Sequence, residues 1–478
     1  MKRISFAGIP GTLLFLLTLA RAAIAAQEKP VVSGKDMTET VKITLTGEVD
    51  LDYVWRRNEI TAFTGGVGAN VPGDSSSENT FEGFVAMRLN VDLSDKVSAL
   101  LEFGTKRADA GKLAVFAAPS GTGSTALSLQ LREANISVAE MFMPELRMQI
   151  GISTWNFDLR GKGQSMAFDP RHSQRFDRNV NPGPDSGVTL NARAGDYQEL
   201  EPVGVWLRYG REKLVLDLIV LPAVIEGGSP HGDEAFYALD LLYKIDDKES
   251  RFGFIASVTT DPGGSSVIFT YGGGADWRGT ANLDVYGEVY FQNGRNNDGI
   301  TPTVDIGAFA YQVGAEYRIP GDAMGWVGVN LTYFSGDSQA NGKSSSFTAY
   351  ENIHDLLILE DMYLGFDWDT NYRAIKIAGG LSANVGGKAN LRLSAMIGLC
   401  QTARNVQFAA LPVPESTRKL GNEVDVKAEW DLTKQLTLNA GIGFLFGSEV
   451  LENSMGGKGA PDASQQALLF TLGTDLRF

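Results

Sequence analysis

The stretch Ala467–Phe478, ALLFTLGTDLRF, decides how the rest of the chain is read. Leu468, Phe470, Leu472, Thr474, Leu476 and Phe478 fall on one face of a period-two strand, and Leu469, Thr471, Gly473, Asp475 and Arg477 on the other. Left unpaired, a strand of this kind is a sticky edge, and a closed barrel is the arrangement that has no edge. The stretch therefore reads as the closing strand of an all-β transmembrane antiparallel barrel, its alternate apolar side chains toward lipid.

The strand needs a partner at the other end of the chain, and Val41–Trp55 offers one. Val41, Ile43, Leu45, Gly47, Val49, Leu51, Tyr53 and Trp55 form its apolar face, opposed by Lys42, Thr44, Thr46, Glu48, Asp50, Asp52, Val54 and Arg56. Closure is expected to bring Asp475 and Arg477 against Lys42 and Thr44. Between these two strands, tight turns recur at Ser94–Lys96, Phe142–Glu145, Gly210–Lys213, Asp246–Glu249, Arg278–Thr280, Pro320–Ala323, Gly386–Lys388 and Thr433–Gln435. They alternate with long polar connections, such as Asn58–Thr80, Asn156–Pro202 and Gly336–Asn371. Short turns on one rim and long loops on the other are the asymmetry of outer-membrane barrels, and counting segments gives about 18 strands. In Leu127–Glu140 the apolar phase slips, which predicts a bulge. Gly187–Ala194 alternates too, as barrel wall or as a hairpin within a loop. Asp355–Phe366 reads as a short helix in a long loop, either packed on its own rim or folded into the mouth as a constriction.

Lys2 and Arg3, the apolar run Leu13–Leu19 and Ala23-Ile24-Ala25 fit a cleaved secretory signal peptide. The expected organisation is a signal peptide over 1–26, a periplasmic segment over 27–40 and the barrel over 41–478. No later window approaches the roughly 20 apolar residues of a membrane helix. A mean hydropathy of −0.08 is what alternate wet and lipid-facing residues average to. The net charge of −15 disfavours nucleic acid. Cys400, the one cysteine, excludes an intramolecular disulfide and reads as a small wall residue.

If the polar half of each strand is lumenal, the pore face carries Lys42, Glu48, Asp50, Asp52, Arg88, Arg208, Asp284, Glu288, Glu316, Arg318, Arg392, Lys427 and Glu429, a mixture of signs. Such charges either pair across strands or meet solute. A denser cluster, Arg160, Arg171, Arg175, Arg178 and Arg193, falls in the Asn156–Pro202 connection, where planar guanidinium forks would suit carboxylates. Asp158, Asp169 and Asp177 interleave with it and neutralise it equally well. His172, His231 and His354 are the only histidines, all in expected loops, and no G-x-S-x-G is present. The turn-rich Asn293–Gly299 and Ser335–Gly342 lack the alternating acidic ligands calcium takes. No catalytic residue, metal or cofactor is expected.

Three passages make the chain resemble the alginate export family of outer-membrane proteins. They are Leu131-Arg132-Glu133-Ala134 running on through the strand Leu146–Ser153, then Tyr333-Phe334-Ser335-Gly336-Asp337 with Asn341-Gly342-Lys343, and Leu420-Gly421-Asn422-Glu423-Val424-Asp425 with the closing hairpin. The resemblance implies a barrel of about 18 strands that conducts a polymer or small solute through an Arg-rich constriction attracting uronates. It carries Arg132, Glu133, Arg147, Glu423 and Asp425 over as lumen-lining residues. Because the expected lumen is of mixed charge, the broader expectation is a passive channel for a polar or anionic solute, an anionic polysaccharide among them. An enzyme or receptor on the same scaffold and a plugged structural barrel are the alternatives. The expected partners are outer-membrane lipid and solute, with the barrel assembly machinery engaging the strand that ends at Phe478.

Overall fold

The computed structural model describes residues 41–58, 77–104, 130–152, 203–225, 234–246, 250–260, 266–296, 304–320, 324–336, 343–347, 355–360, 370–385, 389–408, 415–450 and 466–478. The expected signal peptide, the 27–40 segment, the loop arginines from Arg160 to Arg193, all three histidines and Gly187–Ala194 lie outside the described residues.

In chain order the strands are β1 (Lys42–Asn58), β2 (Ser77–Asp92), β3 (Val97–Gly104), β4 (Gln130–Ala139), β5 (Leu146–Ile152), β6 (Val203–Arg211), β7 (Leu214–Ile225), β8 (Glu234–Lys244), β9 (Arg251–Thr260), β10 (Val267–Trp277), β11 (Leu283–Asn296), β12 (Val304–Ile319), β13 (Met324–Phe334), β14 (Lys343–Ser344), β15 (Tyr372–Val385), β16 (Ala389–Phe408), β17 (Glu415–Asp431), β18 (Leu436–Phe446) and β19 (Gln466–Arg477). β14 is two residues long and pairs only with β12, in parallel. The other eighteen form an up-and-down antiparallel wall in which β13 pairs directly with β15 and β19 returns to β1. The sheet is closed, as the period-two pattern requires.

Alternation sorts the side chains. On β13, Val327, Val329 and Leu331 face outward and are exposed, while Trp326, Asn330 and Thr332 face the lumen. The same holds for Ile375 and Ile377 around Lys376, and for Ile442 and Phe444 around Gly443. Exposed apolar side chains in this pattern on a closed barrel belong against lipid hydrocarbon. Rows of rings such as Tyr311 on Tyr333, with centroids 5.1 Å apart, add cross-strand contacts to that outer surface. The tight turns share the rim from which β1 starts. There Lys96 bridges to Glu140 of the next turn at 2.6 Å, a bond that raises the ammonium above the usual lysine range.

Closure occurs between the expected strands, at a different register. Arg477 stands opposite Glu48 and Asp475 opposite Asp50, not opposite Lys42 and Thr44. The backbones of Gly47 and Phe478 exchange both hydrogen bonds, at 2.7 and 3.0 Å. A Cβ at Gly47 would stand 2.4 Å from the Phe478 ring, so the missing side chain makes the seat for the terminal aromatic. The phase slip before Glu140 is a bulge. Glu102 pairs with Glu133 and Phe103 with Leu131, so Arg132 is the extra residue, described only in its backbone.

Part of the lumen face is not polar. Ile219, Leu221, Phe236, Ile255, Tyr290 and Phe334 all point inward and are buried in one apolar cluster that includes Leu356, Leu357, Ile358 and Leu359. Those last four, three leucines and one isoleucine, belong to the connection between β14 and β15.

Candidate functional site: a loop segment docked inside the barrel

Of the stretch expected as a short helix, residues 355–360 form a turn and 361–366 lie outside the described residues; the described part is folded inward against the wall. The wall beneath is built to accept them. Gly398 on β16 and Gly441 and Gly443 on β18 are lumen-facing, and their bare backbones receive Leu356, Leu357 and Ile358. A Cβ at Gly398 would meet Leu356 at 2.7 Å, and one at Gly443 would meet Leu357 and Ile358 at 3.2 Å. Three successive amides of the turn then meet two carboxylates of β17. Leu357 N donates to Asp425 Oδ2 at 2.9 Å, Ile358 N to Glu423 Oε1 at 2.5 Å and Leu359 N to Glu423 Oε2 at 2.9 Å. Amides that no secondary structure satisfies are thereby paired with carboxylate oxygens.

A second set of contacts holds the turn from β15. Lys376 Nζ lies 2.7 Å from Asp355 Oδ2 and 2.9 Å from Glu360 Oε1, and it is buried between them. Glu360 also accepts from the hydroxyl of Tyr372 at 2.8 Å, and from the Asp355 and Leu356 amides at 3.0 and 3.1 Å. Lys427 Nζ donates to the Asp355 carbonyl at 3.1 Å. The turn is thus bolted to β15, β16, β17 and β18, and it occupies lumen cross-section along that arc. Cys400 lies beside it, buried, with its sulfur 3.3 Å from the Tyr372 hydroxyl.

The remaining expected lumen residues divide into four groups. Glu423 and Asp425 do face inward, but the docked turn covers them, so they hold the loop and do not present a surface to solute. Several others pair with one another: Arg208 with Asp217 through two bonds of 2.7 Å, Arg392 with Glu429 and Asp431, Arg88 with Glu102, and Arg477 with Glu48 and Asp475. Asp50, Glu133, Asp284 and Glu288 are buried at the wall, and Glu288 accepts from the Tyr290 hydroxyl at 2.7 Å. Lys42, Asp52, Arg147, Glu316, Arg318 and Lys427 keep accessible surface. Arg147, directly opposite Arg208, bonds the Ser137 hydroxyl at 3.1 Å. The Arg208 guanidinium lies 4.3 Å over the Trp206 ring.

Alternation of Ile375, Lys376 and Ile377 puts Lys376 on the lumen face without giving it a task, and the glycines were missed altogether. The spacing Gly441-Ile442-Gly443 was the available signal, since side-chain-free positions on alternate residues mark a wall that something else covers. Among the described residues no cluster of histidine, cysteine and carboxylate suits a metal.

No protein-family model matches the chain, and comparison with curated proteins finds no match either. Solved barrels are similar to it in fold. OccK5 (OpdH) of Pseudomonas aeruginosa shares 10% identity at a TM-score of 0.48, over 91% of this chain and 98% of that one. OpdK of Pseudomonas aeruginosa, solved with vanillate, shares 10% at 0.46 over the same shares. An anion-selective porin from Comamonas acidovorans shares 10% at 0.42, over 92% of this chain and all of that one. At this distance the likeness says nothing about what passes through the present lumen.

Proposed function

We propose that the protein is a passive, non-enzymatic outer-membrane channel for polar solutes, with the docked turn Asp355–Glu360 as its constriction. The observation that carries this reading is a closed barrel, apolar outside, into which one loop segment is folded and held by buried charge. A barrel of this strand number encloses more than side chains can fill. Inserting a braced turn narrows the lumen on one arc without needing a plug domain, and selection then follows from diameter and from the charges left accessible. Uphill transport would need an energy source at this membrane, so the reading is facilitated diffusion.

The narrower reading, passage of an anionic polysaccharide as in the alginate export family, is favoured by one feature. Arg147 is exposed and bonds the Ser137 hydroxyl rather than a carboxylate, so a carboxylate passing β5 meets its guanidinium, while Arg208 beside it is taken up by Asp217. The Phe478 strand is, on the same proposal, the segment the assembly machinery engages during insertion.

Planar-bilayer recording tests the channel. Purified protein should open steps of uniform conductance, and Arg147→Ala should shift the reversal potential in a salt gradient toward cations. A folded protein that never conducts would refute the channel and leave the structural barrel. Hydrolysis of phospholipid or peptide by that preparation would favour an enzyme.

A further inference from the structure

Two lumen-facing aromatic side chains take no part in holding the turn. Tyr286 on β11 lies across β12, its ring 2.4 Å from where a Cβ of Gly314 would stand, and its hydroxyl accepts from Asn330 Nδ2 on β13 at 3.1 Å. Trp326 on β13 lies across β15 in the same manner. Its indole Nε1 is 2.6 Å from the Cβ position of Gly380 and its Cζ3 is 3.6 Å from that of Gly328. Glycine on the floor lets each ring lie against backbone, with the opposite face left to the lumen. Both are half-buried, whereas the inward rings Tyr290, Phe334 and Tyr372 are sealed in the apolar cluster.

Trp326 has a charged neighbour. Its cross-strand partner is Arg318 on β12, on the same face, at the separation of roughly 5 Å that puts such side chains in contact range. The Arg318 side chain is 56% exposed, and its one ion-pair partner among the described residues is Glu316, reached through Nε at 3.6 Å. Arg208 and Arg392, by contrast, each spend a guanidinium fork on an aspartate. Arg318 therefore keeps its terminal nitrogens for an incoming group, while Glu316 steadies the near end. The pair shares a level of the wall with one anchor of the constriction, roughly 19 Å away around the barrel at about 4.8 Å per strand. The ladder runs from Arg318 through Trp326, Gly380 and Ser394 to Lys427, which holds the Asp355 carbonyl.

We propose that Trp326 and Arg318 form a binding subsite for a ring that bears a carboxylate. The ring stacks on the indole and the carboxylate takes the guanidinium fork in the bidentate geometry. Sugar acids and aromatic acids share this chemistry, and the proposal rests on the channel reading only in that a solute must reach the lumen. Tyr286 and Asn330 extend the surface along the wall, so a longer ligand has a second ring to follow.

The test titrates glucuronate and benzoate, with glucose as the uncharged control, into detergent-purified protein by calorimetry, and repeats each as block of single-channel current. At least one of the two acids should bind about tenfold more tightly than glucose, as one charge-assisted contact requires. Trp326→Ala and Arg318→Gln should each weaken it about tenfold, while Trp326→Phe keeps a ring and retains most of the affinity. Heat-modifiable gel migration checks that every variant is folded. Binding by glucuronate alone assigns the site to sugar acids, by benzoate alone to aromatic acids. Failure of both acids to bind, or binding unchanged in Trp326→Ala and Arg318→Gln, overturns the subsite. Acid binding without conductance removes the channel reading and leaves the subsite standing; conductance without acid binding does the reverse.

Discussion

Removing the two carboxylates under the docked turn should release it, and the structure gives both the size of the effect and a built-in reporter. In Glu423→Ala/Asp425→Ala the amides of Leu357, Ile358 and Leu359 lose all three acceptors. A hydrogen bond is worth about 0.5–1.5 kcal/mol net, and a buried amide left without one adds a desolvation cost of about 1–3 kcal/mol. Because these bonds act as a unit they do not simply add, and roughly 3–5 kcal/mol is the expected loss of docking free energy. The segment then keeps only the Lys427 bond to β17, the Lys376 ion pairs to β15 and the apolar contacts over Gly398, Gly441 and Gly443.

Cys400 makes the release measurable. It is the only cysteine in the chain, it is buried, and both its sulfur and Leu356 crowd the Gly398 position, at 3.3 and 2.7 Å. A charged methanethiosulfonate reagent should label the double variant at least about a hundredfold faster than the parent, which is what 3 kcal/mol of lost protection amounts to. Single-channel conductance should rise in the same preparation as the arc along β15 to β18 clears. A folded double variant with unchanged conductance and an equally protected Cys400 would refute the reasoning, and with it the constriction.

Two further outcomes follow from the same geometry. Lys376→Met strands two carboxylates at a buried site and should cost about 3–5 kcal/mol in denaturant unfolding, partly recovered in Lys376→Met/Glu360→Gln; equal midpoints for parent and single variant would count against a buried ion pair. Gly47→Leu fills the seat of the Phe478 ring and should slow membrane insertion and lower the temperature of the heat-modifiable transition, while Gly307→Ala, where a Cβ meets nothing within 4 Å, should leave both nearly unchanged.

The sequence by itself determined the wall. Strict alternation in Val41–Trp55 and Ala467–Phe478 assigns each residue to lipid or lumen, because a strand has a period of two and hydrocarbon tolerates few charges. The rhythm of tight turns supplied the strand count, and the phase slip at Leu127–Glu140 supplied the bulge. It did not determine the closing register. Arg477 opposite Glu48 and Arg477 opposite Lys42 differ by an even shift, which leaves every side chain on the same face, so alternation is blind to the choice. That register belongs to the shear of the whole barrel.

Only the tertiary structure decided the interior. Glu423 and Asp425 look like any other lumenal carboxylates along the chain, and their partners Ile358 and Leu357 lie 65 and 68 residues away. The alternate glycines at 441 and 443 mark a bare stretch of wall but do not name what covers it, and Gly398 stands alone. Trp326 and Gly380 are likewise silent apart. Lipid acts on each strand separately and so leaves its mark on local sequence, whereas the docked turn and the aromatic floor exist only where distant strands meet around a closed wall.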